Sequence, residues 1–222
     1  MGVHGPIAAM PLALGEVLKV QDQDGTYRVQ VKLHGYSSGD DQKGEVWARV
    51  TAPFAGDGYG AVMLPGVGEQ VLVGFVSGDQ NFPVVLGALY HGSAQPAQEP
   101  VEGDAVKKWA ITGKKGTEVL LDESSSSKVT IKTKNGVKVV VNDSGSKAVV
   151  TTGSSTMTID PSGVTIESGA IVKVDAAMIQ LSAGMMTVDA GISTFSGVVQ
   201  CDALITNTVI SSTYTPGAGN VW

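Results

Sequence analysis

"KVTIKTKNGVKVVVNDSGSKAVVTTGSSTMTIDPSGVTIESG", Lys128–Gly169, alternates apolar and polar residues between short turns. Val129, Ile131, Val137, Val139, Val141, Met157, Ile159, Val164 and Ile166 share one parity within their strands, and Lys, Thr and Ser fill the places between. The stretch holds no aromatic residue and shows no helical period. Each strand offers two or three apolar side chains, too few to cover its own face. A facing surface is therefore required, from this chain or from another copy of it.

The same pattern extends in both directions. Strands are predicted near 107–112, 117–122, 128–133, 137–142, 147–152, 155–160, 163–168, 171–175, 178–182, 185–189, 192–196, 198–202, 204–206 and 208–212. The turns shorten along the chain. This geometric repetition predicts a β-helical column that narrows. A single chain coiling on itself would show a sequence period of about twenty and capped ends; no such period is found. Three copies around an axis cover small apolar faces and favour Val, Ile, Leu and Met over bulky rings. Residues 105–222 are accordingly predicted to form an intertwined triple-stranded β-helix in a homotrimer. The predicted trimer core is Val129, Ile131, Val139, Val141, Ile159, Val164, Ile166, Val199 and Cys201.

Residues 91–104, "HGSAQPAQEPVEGD", carry Pro, Gly and small polar residues without a period, and residues 93–104 are taken as the linker. Before it the strands are longer. "GEVLKVQDQDGTYRVQVKL" reads as a hairpin turning at Asp22–Gly25, with Tyr27, Val29, Val31 and Leu33 in alternation. "EVWARVT", "GAVMLP", "EQVLVGFV" and "PVVLGALY" complete about six strands. An all-β chain with so many Gly-rich turns predicts a small barrel here, since closure removes sheet edges.

The 222 residues have a formal charge of −6. Residues 1–104 carry five Lys/Arg against twelve Asp/Glu, and residues 105–222 carry ten against nine. Neither half has the basic excess of a nucleic-acid binder. With one cysteine, Cys201, no disulfide forms within the chain. Its place on the Val199 face predicts a small buried apolar role. No apolar run approaches ~18 residues, and "MGVHGPIAAMPLAL" lacks the features of a signal peptide. Assembly without the secretory route is the expectation.

Gly44–Gly92 is similar to the OB-fold domain of contractile-tail spike proteins, the phage baseplate central spikes and the VgrG proteins of type VI secretion. The matching stretches are "WARV" at Trp47–Val50, "AGDGYGAVMLPGVGEQVLVGF" at Ala55–Phe75 and "GDQNFPVVLGALY" at Gly78–Tyr90, preceded by "GTYRVQVKL". The resemblance covers roughly residues 15–92. It implies an N-terminal OB barrel followed by a trimeric needle, in a tail baseplate, tailocin or related particle. It also implies a partner hub protein, which residues 1–14 would dock through Val3, Ile7, Met10 and Leu12. Phage spikes that carry a lysozyme domain have it between barrel and needle; residues 91–104 are too short to hold one. Gly58, Gly60, Gly66 and Gly68 are read as turn positions, and Trp47, Phe75 and Tyr90 as packing residues.

From Val174 to Trp222 the only side-chain charges are Asp175, Asp189 and Asp202. A low-charge end loses little hydration on entering a membrane. Some short phage spikes close on a His-x-His pair that binds iron at the apex. His4, His34 and His91 are the only histidines, so no metal and no cofactor is expected. By resemblance to VgrG-type spikes, Tyr214, Pro216 and Trp222 would seat a PAAR-type tip protein. No G-x-S-x-G elbow occurs, and "GDGYG" at Gly56–Gly60 lacks the Lys and helix of a phosphate loop. The expected role is mechanical rather than enzymatic: a membrane-piercing spike that contacts the target envelope. A trimeric tail-fibre adhesin and an OB-type nucleic-acid-binding module are the alternatives.

Overall fold

A computed structural model describes residues 12–35 and 44–213. The regular structure among them is all strand, apart from a 3-10 turn at Val76–Gly78. The elements in the barrel region are β1 (Leu12–Lys19), β2 (Arg28–Leu33), β3 (Glu45–Val50), β4 (Ala55–Gly56), β5 (Tyr59–Gly60), β6 (Gln70–Phe75) and β7 (Pro83–Ala88). Five of these close a barrel in the order β1-β2-β3-β7-β6. All its pairs are antiparallel except β3 with β7, where Arg49 meets Val84 and Val50 meets Val85. This OB-like closure leaves no free edge in the barrel.

Alternation fills the interior. Val17, Val29, Val31, Val71, Val73, Phe75 and Val85 are almost wholly buried, joined by Ala13, Leu33 and Ala48. Each such Val contributes roughly 1.5–3 kcal/mol by leaving water. Neighbouring strands come so close at Gly15 that a Cβ there would lie 2.5 Å from Val31 Cγ1 and 2.9 Å from the Lys32 carbonyl oxygen.

The β1–β2 turn is organised by one carboxylate. Asp22 accepts from the Thr26 amide at 3.1 Å and the Thr26 hydroxyl at 2.6 Å. It also accepts from Arg28 Nε at 3.1 Å and Nη2 at 3.0 Å. The Arg28 guanidinium, then the Thr26 hydroxyl, hold the Asp22 carboxyl well below the usual carboxylate range.

Three barrel expectations are corrected. "GAVMLP" forms no strand; Ala61–Gly66 is irregular and the small β4–β5 hairpin precedes it. No barrel strand edge is left for it to pair with, so Val62, Met63 and Leu64 stay exposed. Tyr27 does not continue the Val29–Leu33 row, because the turn places it at φ +56° and turns it to solvent. Tyr90 is exposed rather than packed, while Phe75 is core and Trp47 half-buried.

The stretch read as an unstructured linker holds short structure of its own. His91 and Ala94 form a bridge, and β8 (Val101–Glu102) pairs with β9 (Ala105–Val106). After it, β10 (Lys108–Thr112), β11 (Glu118–Asp122), β12 (Lys128–Lys132), β13 (Lys138–Asn142), β14 (Lys147–Thr152), β15 (Ser155–Asp160) and β16 (Gly163–Ser168) form one seven-stranded antiparallel meander. All seven coincide with predicted strands to within a residue at each end. Their pairing is different from the predicted intertwining. Each strand bonds to its sequence neighbours in the same chain. The cause is turn length: Gly153-Ser154 and Pro161-Ser162 are two-residue connections, which bring consecutive strands together.

Residues 173–213 belong to a separate unit. No strand is present in them, although strands are predicted from the sequence at 171–175 and at six places from 178 to 212. A strand needs a hydrogen-bonding neighbour, and the described residues supply none here. Val199 and Cys201 are exposed in this unit.

Gly15→Ala should overpack the β1–β2 contact and destabilise the barrel by about 1–3 kcal/mol. A thermal melt of the full chain should show the barrel transition several degrees lower.

Candidate functional site: an uncovered sheet face

The register of the meander stacks apolar side chains into two ladders on one face. The first runs Trp109, Leu121, Val129, Val141, Ala148, Ile159, Val164, and the second Ile111, Val119, Ile131, Val139, Val150, Met157, Ile166. Fourteen residues from seven strands thus form one continuous strip. Cross-strand pairs of this kind are what stabilise a sheet face, yet among the described residues nothing covers them. Ile111 and Val164 are each 61% exposed, and most of the others are near half. Monomeric proteins seldom expose a contiguous apolar patch of such extent.

The opposite face is better covered, with a mixed central row between rows of polar and charged residues. Its central row is Ala110, Leu120, Thr130, Val140, Val149, Thr158 and Thr165. Glu118 on this face is only 3% exposed. It pairs with Lys132 Nζ at 2.9 Å across the strands, and accepts from Gln98 Nε2 at 3.0 Å and the Thr112 hydroxyl at 3.4 Å. Gln98 lies in the connecting segment, so this carboxylate ties that segment to the first three strands. Lys132, then Gln98, hold the Glu118 carboxyl below the usual range. Asp122 is held down to about 2, chiefly by the Ser124 amide, with Lys128 Nζ at 3.3 Å. Lys114 Nζ reaches Glu69 Oε1 at 3.1 Å, linking the β10–β11 turn to the barrel. Charge therefore sits on the polar face and at the barrel junction, and the ladders carry none.

Seven of the nine predicted core residues, Val129, Ile131, Val139, Val141, Ile159, Val164 and Ile166, lie together in the two ladders. Val199 and Cys201 do not join them. Trp109, Ile111, Val119, Leu121, Ala148, Val150 and Met157 belong to the strip but were absent from that prediction. In "KWAIT", "EVLLD" and "KAVVTT" three successive apolar residues hide the parity, and only the register selects Trp109, Ile111, Val119, Leu121, Ala148 and Val150. Leu12, assigned from sequence to hub docking, is the first residue of β1 and is exposed. Val3, Ile7, Met10, Tyr214, Pro216 and Trp222 lie outside the described residues. No group of three or more His, Cys, Asp or Glu suited to a metal occurs among the described residues.

Residues 13–90, the barrel but for Leu12, match the type VI secretion system/phage-baseplate injector OB domain. The barrel belongs to that family. Curated relatives agree with it. The type VI secretion system spike protein VgrG4b of Pseudomonas aeruginosa is 43% identical over 72 residues, 32% of this chain and 9% of that protein. The spike protein VgrG3 of Vibrio cholerae is 35% identical over 92 residues, 41% of this chain and 9% of its own. The actin cross-linking toxin VgrG1 of Vibrio cholerae is 33% identical over 75 residues, 34% of this chain and 7% of its own. The chain thus spans less than a tenth of the length of these relatives. Over its barrel the chain is similar to the VgrG-like contractile-tail spike proteins, and the sequence resemblance of Gly44–Gly92 is upheld.

Glu118→Gln should cost about 1–3 kcal/mol, since a charge-assisted bond network loses its charge. Because the carboxyl is held low in the fold, its contribution is complete above the ordinary Glu range and is lost as pH falls through the folded value. Acid unfolding followed by circular dichroism should therefore lie at higher pH in Glu118→Gln than in the parent, and the two should differ least at the acid extreme.

Proposed function

We propose that the chain is the central spike of a contractile injection machine, a phage tail, tailocin or related secretion system, acting as a homotrimer. The observation that carries this reading is the double apolar ladder. Three meanders brought around one axis with their ladders inward would form a three-sided column with a dry interior and a Lys/Thr/Ser exterior. Each chain then supplies one wall over residues 108–168. Residues 173–213, which have no strand partner in their own chain, would find theirs in the other two copies. Intertwining is thus assigned to the distal part of the 105–222 needle. The injector OB family of the barrel supports the same setting.

The action is mechanical. Sheath contraction drives the tube, and the needle concentrates force on a small area of the target envelope. Strands hydrogen-bonded around the column resist bending and leave few free edges. The barrel joins the needle to a separate hub protein, docked by Val3, Ile7, Met10 and Leu12. Tyr214, Pro216 and Trp222 form the seat for a PAAR-type tip protein. No catalytic step, cofactor or nucleic acid enters this role, and the protein resides at the baseplate tip of the assembled particle.

Unboiled in SDS, the full chain should migrate as a species of three chains, and boiling should release single chains. Ile131→Asp puts a carboxylate inside the proposed interior. It should abolish the SDS-resistant band while leaving the barrel folded, whereas Lys138→Asp on the polar face should not. Migration of the unboiled parent as one chain would contradict the reading.

A further inference from the structure

The connections between the meander strands fall on two edges of the sheet, and the edges differ in charge. One edge holds residues 113–117, 133–137 and 153–154, which carry Lys114, Lys115 and Lys134 and no acid. The other holds residues 123–127, 143–146 and 161–162, which carry Glu123 and Asp143 and no base. Charges at the strand ends keep the contrast. They add Lys132 and Lys138 against Glu118 and Glu167 on the first edge. On the second they add Lys107, Lys108, Lys128 and Lys147 against Asp122 and Asp160. The first edge is basic, with five Lys against two acids, and the second is balanced, with four Lys against four. Register puts the charges inside β10–β16 on the face opposite the ladders, so the sheet's borders are left to the connections. Lys114 is committed to Glu69. Lys115, Glu123, Lys134 and Asp143 are exposed and make no ion pair with a described residue.

These four form a series. Lys115 lies between β10 and β11, Glu123 between β11 and β12, Lys134 between β12 and β13, and Asp143 between β13 and β14. Basic and acidic alternate, with one strand spacing of about 4.8 Å per step. Within one chain the two signs stay apart. Lys134 and Asp143 are separated by the five residues of β13, which span about 17 Å. In a closed ring of copies, rotation adds no rise along the axis. The basic edge of each sheet then meets the balanced edge of the next. The connection at Lys134 stands opposite the gap between those at Glu123 and Asp143.

We propose that Lys115 and Lys134 of one copy interdigitate with Glu123 and Asp143 of the next, forming a corner of alternating charge. This rests on the reading of three copies around an axis, and it names the contact that orients them. The ladders supply the adhesion. Exposed ion pairs add little strength; they act on which edge is accepted, because two basic edges repel and a basic edge against carboxylates does not.

The test treats the full chain with a water-soluble carbodiimide, which joins an amine to a carboxylate in direct contact. Boiled in SDS, the treated protein should run partly as species of two and three chains. Its digest should contain peptides joining Lys134 to Asp143 or Glu123, pairs that one chain holds too far apart to couple. Lys134→Gln should remove those peptides, and Lys138→Gln on the outer face should not. Glu123→Lys with Asp143→Lys should lower by several degrees the temperature at which the unboiled assembly comes apart in SDS. Adding Lys115→Glu with Lys134→Glu to that variant should restore it. A parent that sediments as single chains removes the three-copy reading and this one with it. A three-chain parent in which Lys134 couples to neither acid, or in which charge reversal has no effect or is not rescued, overturns the corner alone.

Discussion

The distal half is governed by two ladders of apolar side chains that the described residues leave uncovered. The meander of β10–β16 satisfies its backbone internally. What it lacks is a surface opposite Ile111, Val129, Ile131, Ile159 and Val164, which remain largely in water. Burial of each such residue is worth roughly 1.5–3 kcal/mol, comparable to a sizeable share of a domain's net stability. A sheet that leaves this many uncovered is best matched by a surface of the same length, apolar and strand-spaced. Another copy of the same meander meets that description.

The two halves therefore follow different stability logic. The barrel is self-contained: its strands close on themselves around Val17, Val29, Val31, Val71, Val73, Phe75 and Val85. Its outer wall is then free to carry docking features. The meander has inverted burial, with Glu118 nearly inaccessible on the polar side and hydrophobic residues exposed on the other. The Glu118 network fixes the connecting segment to the sheet, and the Lys114–Glu69 pair links the sheet's first turn to the barrel. Such a junction positions the sheet while leaving its apolar face free for assembly.

Period-two alternation made the meander legible in the sequence. The seven strands from Lys108 to Ser168 fall where Val, Ile and Leu alternate with Lys and Thr between Gly-, Ser- and Asp-rich turns. The barrel was legible for the same reason, and its family was carried by "WARV" and the Gly-rich run that follows. Pairing partners were less visible. Strand period fixes which side chains share a face, but only turn length decides whether the neighbour is the next strand or another chain. The two-residue connections at Gly153-Ser154 and Pro161-Ser162 held that information and were outweighed by the even spacing. Tyr27 broke its row because a turn needed a left-handed residue, an effect invisible to alternation. "GAVMLP" has the composition of a strand and lacks a free edge to join.

Sedimentation equilibrium of the full chain, carried from high to very low concentration, tests the central claim most directly. The account predicts one species of three chains throughout, with no folded single chain as dilution proceeds. A stable, folded single chain whose meander amides resist hydrogen exchange would contradict it.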